Sequence, residues 1–193
     1  MSFTQENIPL VLASGSPRRR ELLSGMGLTF TVLVSDVPED VPDGTPPAEA
    51  VAMVARRKAE AVIPLADADA IILAADTTVA LDGVCLGKPR DTADATAMLM
   101  SLSGRTHTVY TAVSVAYRGR LLTRVEATGV RFRAFDRREA EEYVKTGEPM
   151  DKAGSYGIQG LGGRLVLGID GEFDNVVGLP CRLVDALLSE VTA

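Results

Sequence analysis

Three consecutive arginines, Arg18 to Arg20, follow a turn of small polar residues near the start of the chain, in the stretch LASGSPRRREL. An apolar run, Ile8 to Ala13, precedes them and predicts a strand, turn and helix unit. Such a unit directs backbone N–H groups and the positive helix end outward, which suits phosphate, and arginine adds paired donors. A solvated basic first turn is the alternative. The candidate anion-binding residues are Ser14, Gly15, Ser16, Arg18 and Arg19.

A second stretch that could do chemistry is AADTTVALDGVCLGKPRD, residues 74–91. Asp76 directly follows an apolar run that predicts a strand over 70–75, a usual place for a functional residue in α/β folds. Lys88 stands between a glycine and a proline, which restrict its loop. A carboxylate and an ammonium group facing one cleft can hold a metal and neutralise phosphate charge. A strand-end cap and a surface lysine remain the alternatives.

Two further segments give weaker signals. Lys58 lies in a predicted helix, and the pattern alone favours a solvated position. The glycine-dense stretch over 147–163 implies that backbone closely approaches a ligand or a neighbouring strand. Its Gln159 could contact a base edge through its amide, and a tight structural turn is the alternative. Neither Ser14 nor Ser16 lies in a GxSxG motif, and His107 is the single histidine, so acyl transfer is not favoured.

Composition restricts the classes of protein and partner. The 193 residues carry a net charge of -6, so a small anion is a better partner for the arginines than nucleic acid. Cys85 and Cys181 form no CxxC motif, and we expect both to be small core residues in a reducing compartment. Neither a signal peptide nor a membrane span is visible, and we expect a cytoplasmic protein without membrane partners.

The elements that must position these residues alternate between strands and helices. Asp82-Gly83 and Arg118-Gly119 predict hairpins, so the sheet cannot be purely parallel. We therefore predict a single α/β domain with a mixed sheet. Strands are predicted over 8–13, 29–34, 70–75, 79–81, 84–86, 106–116, 121–133 and 165–169. Helices are predicted over 17–26, from Pro46 after a cap at Thr45, over 92–102, from Asp136 to Thr146, and after Pro180.

Five motifs, in order along nearly the whole chain, resemble the Maf family of nucleotide pyrophosphatases. They are LASGSPRRREL, AADTTVALDG, LGKPRD, LSGRTHTVYTAV and DKAGSYGIQGLGG. The resemblance implies one elongated domain over 1–193, with a core of about 8–191, a central cleft and a fold similar to inosine triphosphate pyrophosphatases. It also implies a homodimer. The implied reaction converts a nucleoside triphosphate to the monophosphate and pyrophosphate with a divalent cation (Mg²⁺, Mn²⁺ or Co²⁺), a house-cleaning role against non-canonical nucleotides.

The resemblance also assigns roles residue by residue. Asp76 becomes the proton acceptor, and Glu39 falls near an acidic position that helps Asp76 to hold the metal. The phosphate-handling positions fall on Ser14, Arg19, Lys58 and Lys88, which reverses the solvated interpretation of Lys58. Arg18, Thr77 and Gln159 match the three specificity positions of the branch that acts on dTTP and UTP.

Three other functions remain as alternatives. The sister branch of the family, which prefers 7-methyl-GTP, tends to carry Trp, Gln and Glu at the three specificity positions. A nucleotide-binding regulator of cell division or septum formation would bind without turnover. A nucleotidyltransferase would require an acceptor substrate.

Overall fold

Strands and helices alternate along the chain, as predicted. The computed structural model describes residues 3–5, 8–34 and 36–193. The strands are β1 (Leu10–Leu12), β2 (Thr31–Val32), β3 (Ile71–Leu81), β4 (Val84–Leu86), β5 (Thr106–Tyr117), β6 (Arg120–Phe132) and β7 (Val166–Asp170). The helices are α1 (Pro17–Gly25), α2 (Pro47–Val62), α3 (Thr92–Leu102), α4 (Arg137–Val144), α5 (Phe173–Val177) and α6 (Cys181–Thr192). Short 3₁₀ segments span Ile63–Leu65, Glu148–Asp151, Ala153–Ser155 and Leu161–Leu165.

The described strands form a mixed sheet in the order β2-β1-β3-β5-β6-β7, with β4 paired to β3. Strand β1 is parallel to both β2 and β3, with Val11 opposite Thr31 and Ile72. The β3–β4 and β6–β7 pairs are antiparallel. The predicted α/β fold with a mixed sheet is therefore confirmed, whereas the extent of the domain stays a prediction.

The chain divides into two compact units, and the first contains residues up to Asp76, 111–126 and 178–193. Its parallel strands β1 and β3 are buried on both faces, as their continuous apolar sequences require, whereas β2 is exposed. Leu12 and Leu73 pack with Leu187 of α6 on one face. Val11 and Ile72, one position along each strand, pack with α2 on the other face. This unit holds α1, α2 and the first half of β3.

The second unit contains residues 77–110 and 127–177. Its core joins α3 and α4 to β5 and β6, and Leu99, Phe132 and Tyr143 are among its buried members. His107 on β5 is 2% exposed and meets the Phe132 ring edge-on at 4.8 Å between centroids. The helix α5 in this unit was not predicted, because its five residues are too short to show a helical period.

Strand β3 is longer than the sequence predicts. The carboxylate of Asp76 interrupts the apolar run, and the prediction therefore ended the strand at Ala75. In the structure β3 continues through Asp76 to Leu81, because Thr77, Thr78 and Val79 are β-branched residues that suit a strand. The hairpin prediction is confirmed: Asp82 and Gly83 both adopt positive φ, at 51° and 79°. Asp76 thus lies on a rigid strand rather than at its end.

Two local predictions are wrong. Pro46, not Thr45, occupies the N-cap position of α2, and the Thr45 hydroxyl donates to the Pro42 carbonyl at 2.6 Å. Cys85 is exposed rather than buried, since it lies on the short strand β4, whose neighbouring Val84 is also exposed. Both cysteines are free thiols. None of the helices in the described ranges is long and apolar enough to cross a membrane.

Candidate active site

Lys58 joins two carboxylates in the first unit. Its ammonium nitrogen lies 2.7 Å from Oδ1 of Asp76 on β3 and 2.5 Å from Oε1 of Glu39 in the loop before α2. The Lys58 and Asp76 side chains are only 14% and 18% exposed, whereas Glu39 is 55% exposed. One cation therefore neutralises part of two negative charges at the edge of a partly buried site.

Helix α2 directs Lys58 inward because of its helical spacing. Val54 and Val62 lie four residues before and after Lys58, and both belong to the buried face of the helix. A lysine in that stripe must either extend to solvent or find a carboxylate. The solvated interpretation of Lys58 is therefore wrong, and the i±4 apolar neighbours are a signal that could have corrected it.

The arginine turn is held together by its own hydrogen bonds. Ser16 is the N-cap of α1, and its hydroxyl accepts from the Arg19 backbone N–H at 3.5 Å. The Arg19 guanidinium donates to the Gly178 carbonyl at 2.9 Å and to the Ser14 hydroxyl at 3.2 Å. No acidic residue occupies the first turn of the helix. The turn thus combines a positive helix end with arginines, one of which is fixed in place.

The electrostatics of the first unit couple Arg19 to Asp76. Burial raises the pKa of Asp76, and the attraction of Lys58 and Arg19 offsets this only in part. Burial lowers the pKa of Arg19, against the attraction of Asp76. A carboxylate whose pKa is raised is a better proton acceptor near neutral pH than an ordinary aspartate. The arrangement can therefore bind an anion and accept a proton within one small region.

The other predicted residues lie in the second unit. Lys88 and Gln159 are both exposed, and Thr77 follows Asp76 directly on β3. The Gly154 N–H donates to the Gly87 carbonyl at 3.1 Å, which ties the glycine-rich segment to the loop of Lys88. The structure therefore brings together the segments that carry Lys88 and Gln159, while the roles of these side chains stay predictions.

The glycines of this segment accommodate neighbouring protein groups. A Cβ at Gly154 would lie 2.8 Å from the Val79 side chain, and one at Gly160 would lie 2.5 Å from the Glu148 carboxylate. A Cβ at Gly162 would lie 2.5 Å from the Tyr143 hydroxyl. At Gly154 the approaching group belongs to the strand β3, as one of the predicted causes requires, whereas at Gly160 and Gly162 it belongs to Glu148 and Tyr143. No signal in the sequence indicated Glu148.

His107 takes no part in the candidate site. Its Nε2 lies 2.8 Å from the Tyr156 hydroxyl, and burial lowers the pKa of His107 to about 4. It is therefore neutral at physiological pH. Because Ser14 is bonded to Arg19 and the single histidine is engaged with Tyr156, the two do not form a nucleophile–base pair.

The region around Lys58 thus places fixed cations beside a carboxylate whose pKa is raised, an arrangement that suits a phosphate ligand. Comparison with known proteins adds the family. The sequence profile of the family described as "Maf-like protein" matches residues 9–191. A dTTP/UTP pyrophosphatase of Vibrio cholerae is 51% identical over 179 residues, which cover 93% of this chain and 96% of that protein. The chain therefore belongs to the Maf-like family, and the predicted resemblance is confirmed.

A second relative carries the same name. A dTTP/UTP pyrophosphatase of Moorella thermoacetica is 52% identical over 182 residues, which cover 93% of each chain. Among solved structures, a nucleoside-triphosphatase / dITP/XTP pyrophosphatase from Mycobacterium abscessus aligns over 95% of both chains, at 15% identity and a TM-score of 0.48.

Proposed function

We propose that this chain is a nucleoside triphosphate pyrophosphatase that hydrolyses dTTP and UTP to the monophosphate and pyrophosphate. Family membership and relatives of that name at about half identity support the reaction. The observation that carries the proposal is the bridge from Lys58 to Asp76, beside an arginine coupled to the same aspartate. Hydrolysis of a phosphoanhydride requires these two functions, a base and cations for the phosphates.

In the proposed mechanism, water attacks the α-phosphorus in line with the bond to the β-phosphate oxygen. The new bond joins the water oxygen to phosphorus, the α–β anhydride bond breaks, and pyrophosphate leaves with the electron pair. Asp76 accepts the proton of the attacking water. Arg19 and Lys58 neutralise phosphate oxygens, and Ser14 with the N–H groups of the turn orients them. Lys88 contributes further positive charge to the leaving group.

The carboxylates present fit a divalent cation. Both Asp76 and Glu39 contact the same Lys58 nitrogen, so their oxygens lie close together. Magnesium is commonly held by one or two carboxylates together with substrate phosphates. The described residues contain no cluster of three or more His, Cys, Asp or Glu side chains that could hold a metal. Asp76 and Glu39 are the two carboxylates that would hold Mg²⁺, Mn²⁺ or Co²⁺ together with the substrate. When bound, this cation supplies positive charge to the phosphates.

Selection of the base is assigned to Gln159, with Arg18 and Thr77 as its partners in specificity. An amide both donates and accepts, which matches the imide edge of uracil or thymine. A carboxylate at this position could only accept, and would suit the cationic ring of 7-methylguanine better. The exposure of Gln159 in the free chain supports this assignment, since its amide is open to a ligand.

The experiment is a panel of nucleoside triphosphates, with pyrophosphate release measured for the natural chain and for Gln159→Glu. We expect dTTP and UTP to be preferred over 7-methyl-GTP. The variant should lose at least about tenfold of that preference, because a carboxylate cannot donate a hydrogen bond to a carbonyl of the pyrimidine. Glu142→Gln on the surface of α4 is a control that should leave the preference unchanged.

Two results would contradict the proposal. Tight nucleotide binding without pyrophosphate release would favour a binding regulator. Faster turnover of 7-methyl-GTP by the natural chain would assign it the sister activity.

A further inference from the structure

The backbone on either side of Gln159 is anchored by a single carboxylate. Glu148 Oε2 accepts from the Leu161 N–H at 2.9 Å, and Oε1 accepts from the Gly162 N–H at 3.1 Å. The Tyr143 hydroxyl donates to Oε1 at 2.8 Å and itself accepts from the Gly157 N–H at 3.1 Å. The loop 157–162 is thus fixed before Gln159 through Tyr143 and after it directly by Glu148.

The side chains of Glu148 and Tyr143 lie directly against the backbone of the loop 157–162. A Cβ at Gly160 would collide with Glu148, and one at Gly162 would collide with Tyr143, so these glycines allow the carboxylate and the phenol to reach the backbone. Tyr143 is 8% exposed and belongs to the core of its unit. Glu148 is therefore held from the core side and presents its oxygens to the loop.

Charge favours the same arrangement. Burial alone would raise the pKa of Glu148, but the N–H groups of Leu161 and Gly162 and the Tyr143 hydroxyl lower it below the usual range. Lys152, whose side chain is 16% exposed, donates to the Glu148 backbone carbonyl at 2.6 Å. The ionised carboxylate is thus the form that fits these donors, and charge-assisted bonds of this kind are stronger than neutral ones.

We propose that Glu148 is a positioning residue for base selection: its carboxylate fixes the loop that presents Gln159 to the nucleotide base. The inference rests on the proposed function, because it assigns Gln159 the contact with the base. Glu148 acts through the loop and does not contact the substrate. A shift of the amide by about 1 Å is enough to weaken a directional hydrogen bond to the base strongly.

The test compares Glu148→Gln with Tyr143→Phe, each alone and combined with Gln159→Ala. The ratio of kcat/KM for dTTP to that for 7-methyl-GTP is measured in each protein. We expect each single variant to lower the ratio at least about tenfold. In the Gln159→Ala background, where no amide remains to be positioned, the same substitutions should change the ratio less than about twofold.

Amide hydrogen exchange of the loop 157–162 supplies a readout independent of activity. Glu148→Gln should accelerate exchange at Leu161 and Gly162, because one N–H then faces an amide group that cannot accept. The control is again Glu142→Gln, whose carboxylate pairs with Arg138 on the surface of α4. If Glu148→Gln does not fold, Tyr143→Phe, which keeps the buried ring, decides the test.

A folded Glu148→Gln or Tyr143→Phe variant with an unchanged ratio would overturn the inference. A ratio that falls equally in the Gln159→Ala background would also overturn it, since the effect would then not pass through Gln159. If the natural chain releases no pyrophosphate from dTTP, the proposed function fails first, and the exchange result still reports whether Glu148 anchors the loop.

Discussion

At the scale of single residues, Lys58 is the cation that offsets the two negative charges of the site. Its ammonium group contacts the two carboxylates that are proposed to hold the divalent cation. An ammonium ion and a metal ion compete for the same oxygens. We therefore expect Lys58 to weaken metal binding in the free chain, and a bound nucleotide to offer its ammonium group phosphate oxygens as alternative partners.

The first prediction concerns Lys58→Met, which keeps the length of the side chain and removes its charge. We expect the affinity of the nucleotide-free protein for Mn²⁺ to rise at least about tenfold, because the competing cation is gone. Titration followed by the spectroscopic signal of free Mn²⁺ measures this. Lys145→Met, at an exposed position beyond α4, is the matched control. Equal affinities in the natural chain and Lys58→Met would contradict the assignment of the metal to Asp76 and Glu39.

The second prediction compares Arg19, whose side chain is hydrogen-bonded within the fold, with the exposed Lys88. Arg19→Ala removes bonds to Gly178 and Ser14, so it should lower the free energy of unfolding by about 1.5–3 kcal/mol as well as the activity. Lys88 is exposed, and Lys88→Ala should leave stability within about 0.5 kcal/mol. Both variants should lose at least about tenfold in kcat/KM for dTTP. Urea unfolding and steady-state kinetics measure the two effects, and a Lys88→Ala variant with natural kinetics would remove Lys88 from the mechanism.

At the scale of elements, the sequence predicted most helices and strands but not which face of each carries the chemistry. The strand before Asp76 was predicted, but its predicted end at Ala75 was wrong, because β3 continues past Asp76 to Leu81. The apolar run ends at Asp76, and the sequence pattern cannot distinguish a carboxylate within a strand from the end of the strand. The pattern alone placed Lys58 in the right helix on a solvated face, because its carboxylate partners are distant in sequence, and only the family resemblance reversed that interpretation.

The glycine-rich segment shows the same limit. Its composition indicated close backbone approach, and the structure identifies the approaching groups as Val79, Glu148 and Tyr143. Nothing in the spacing of Tyr143 or Glu148 marks them as anchors, since their partners are backbone N–H groups, which every sequence contains.

The third prediction concerns His107, which is packed on the buried face of strand β5. The pKa of His107 is about 4 in the folded chain and near 6.5 when the chain is unfolded. Between these two pH values the unfolded chain binds a proton that the folded chain does not. The contribution of neutral His107 to the free energy of unfolding is therefore fully present above pH 6.5 and is lost as the pH drops towards 4. His107→Gln should abolish this loss, which amounts to roughly 3 kcal/mol. The raised pKa of Asp76 acts in the opposite direction in both proteins.

Chemical unfolding at pH 7.5, 5.5 and 4.5 measures the difference between the natural chain and His107→Gln. As the pH falls, the free energy of unfolding of His107→Gln should rise relative to that of the natural chain. A difference that is constant over this range would show that His107 is accessible to protons in the folded chain. Activity should show no titration attributable to a histidine.

At the scale of the whole molecule, a chain with a net charge of -6 is proposed to bind a polyanion. The cations that make this possible are concentrated in the arginine turn and at Lys58 and Lys88. The absence of a nucleic-acid partner, expected from the net charge, stays a prediction, whereas family membership supports a nucleotide substrate. In the proposed function, Asp76 activates water for cleavage between the α- and β-phosphates of such a nucleotide.

The most direct test identifies the products of dTTP hydrolysis by phosphorus NMR, for the natural chain and for Asp76→Asn, with Mg²⁺ present. We predict dTMP and pyrophosphate in equal amounts from the natural chain. Asp76→Asn should fold normally and react at least about 100-fold more slowly, because an amide cannot accept the proton of the attacking water. Release of dTDP and phosphate would contradict the assigned bond, and an Asp76→Asn variant with the natural rate would contradict the assigned base.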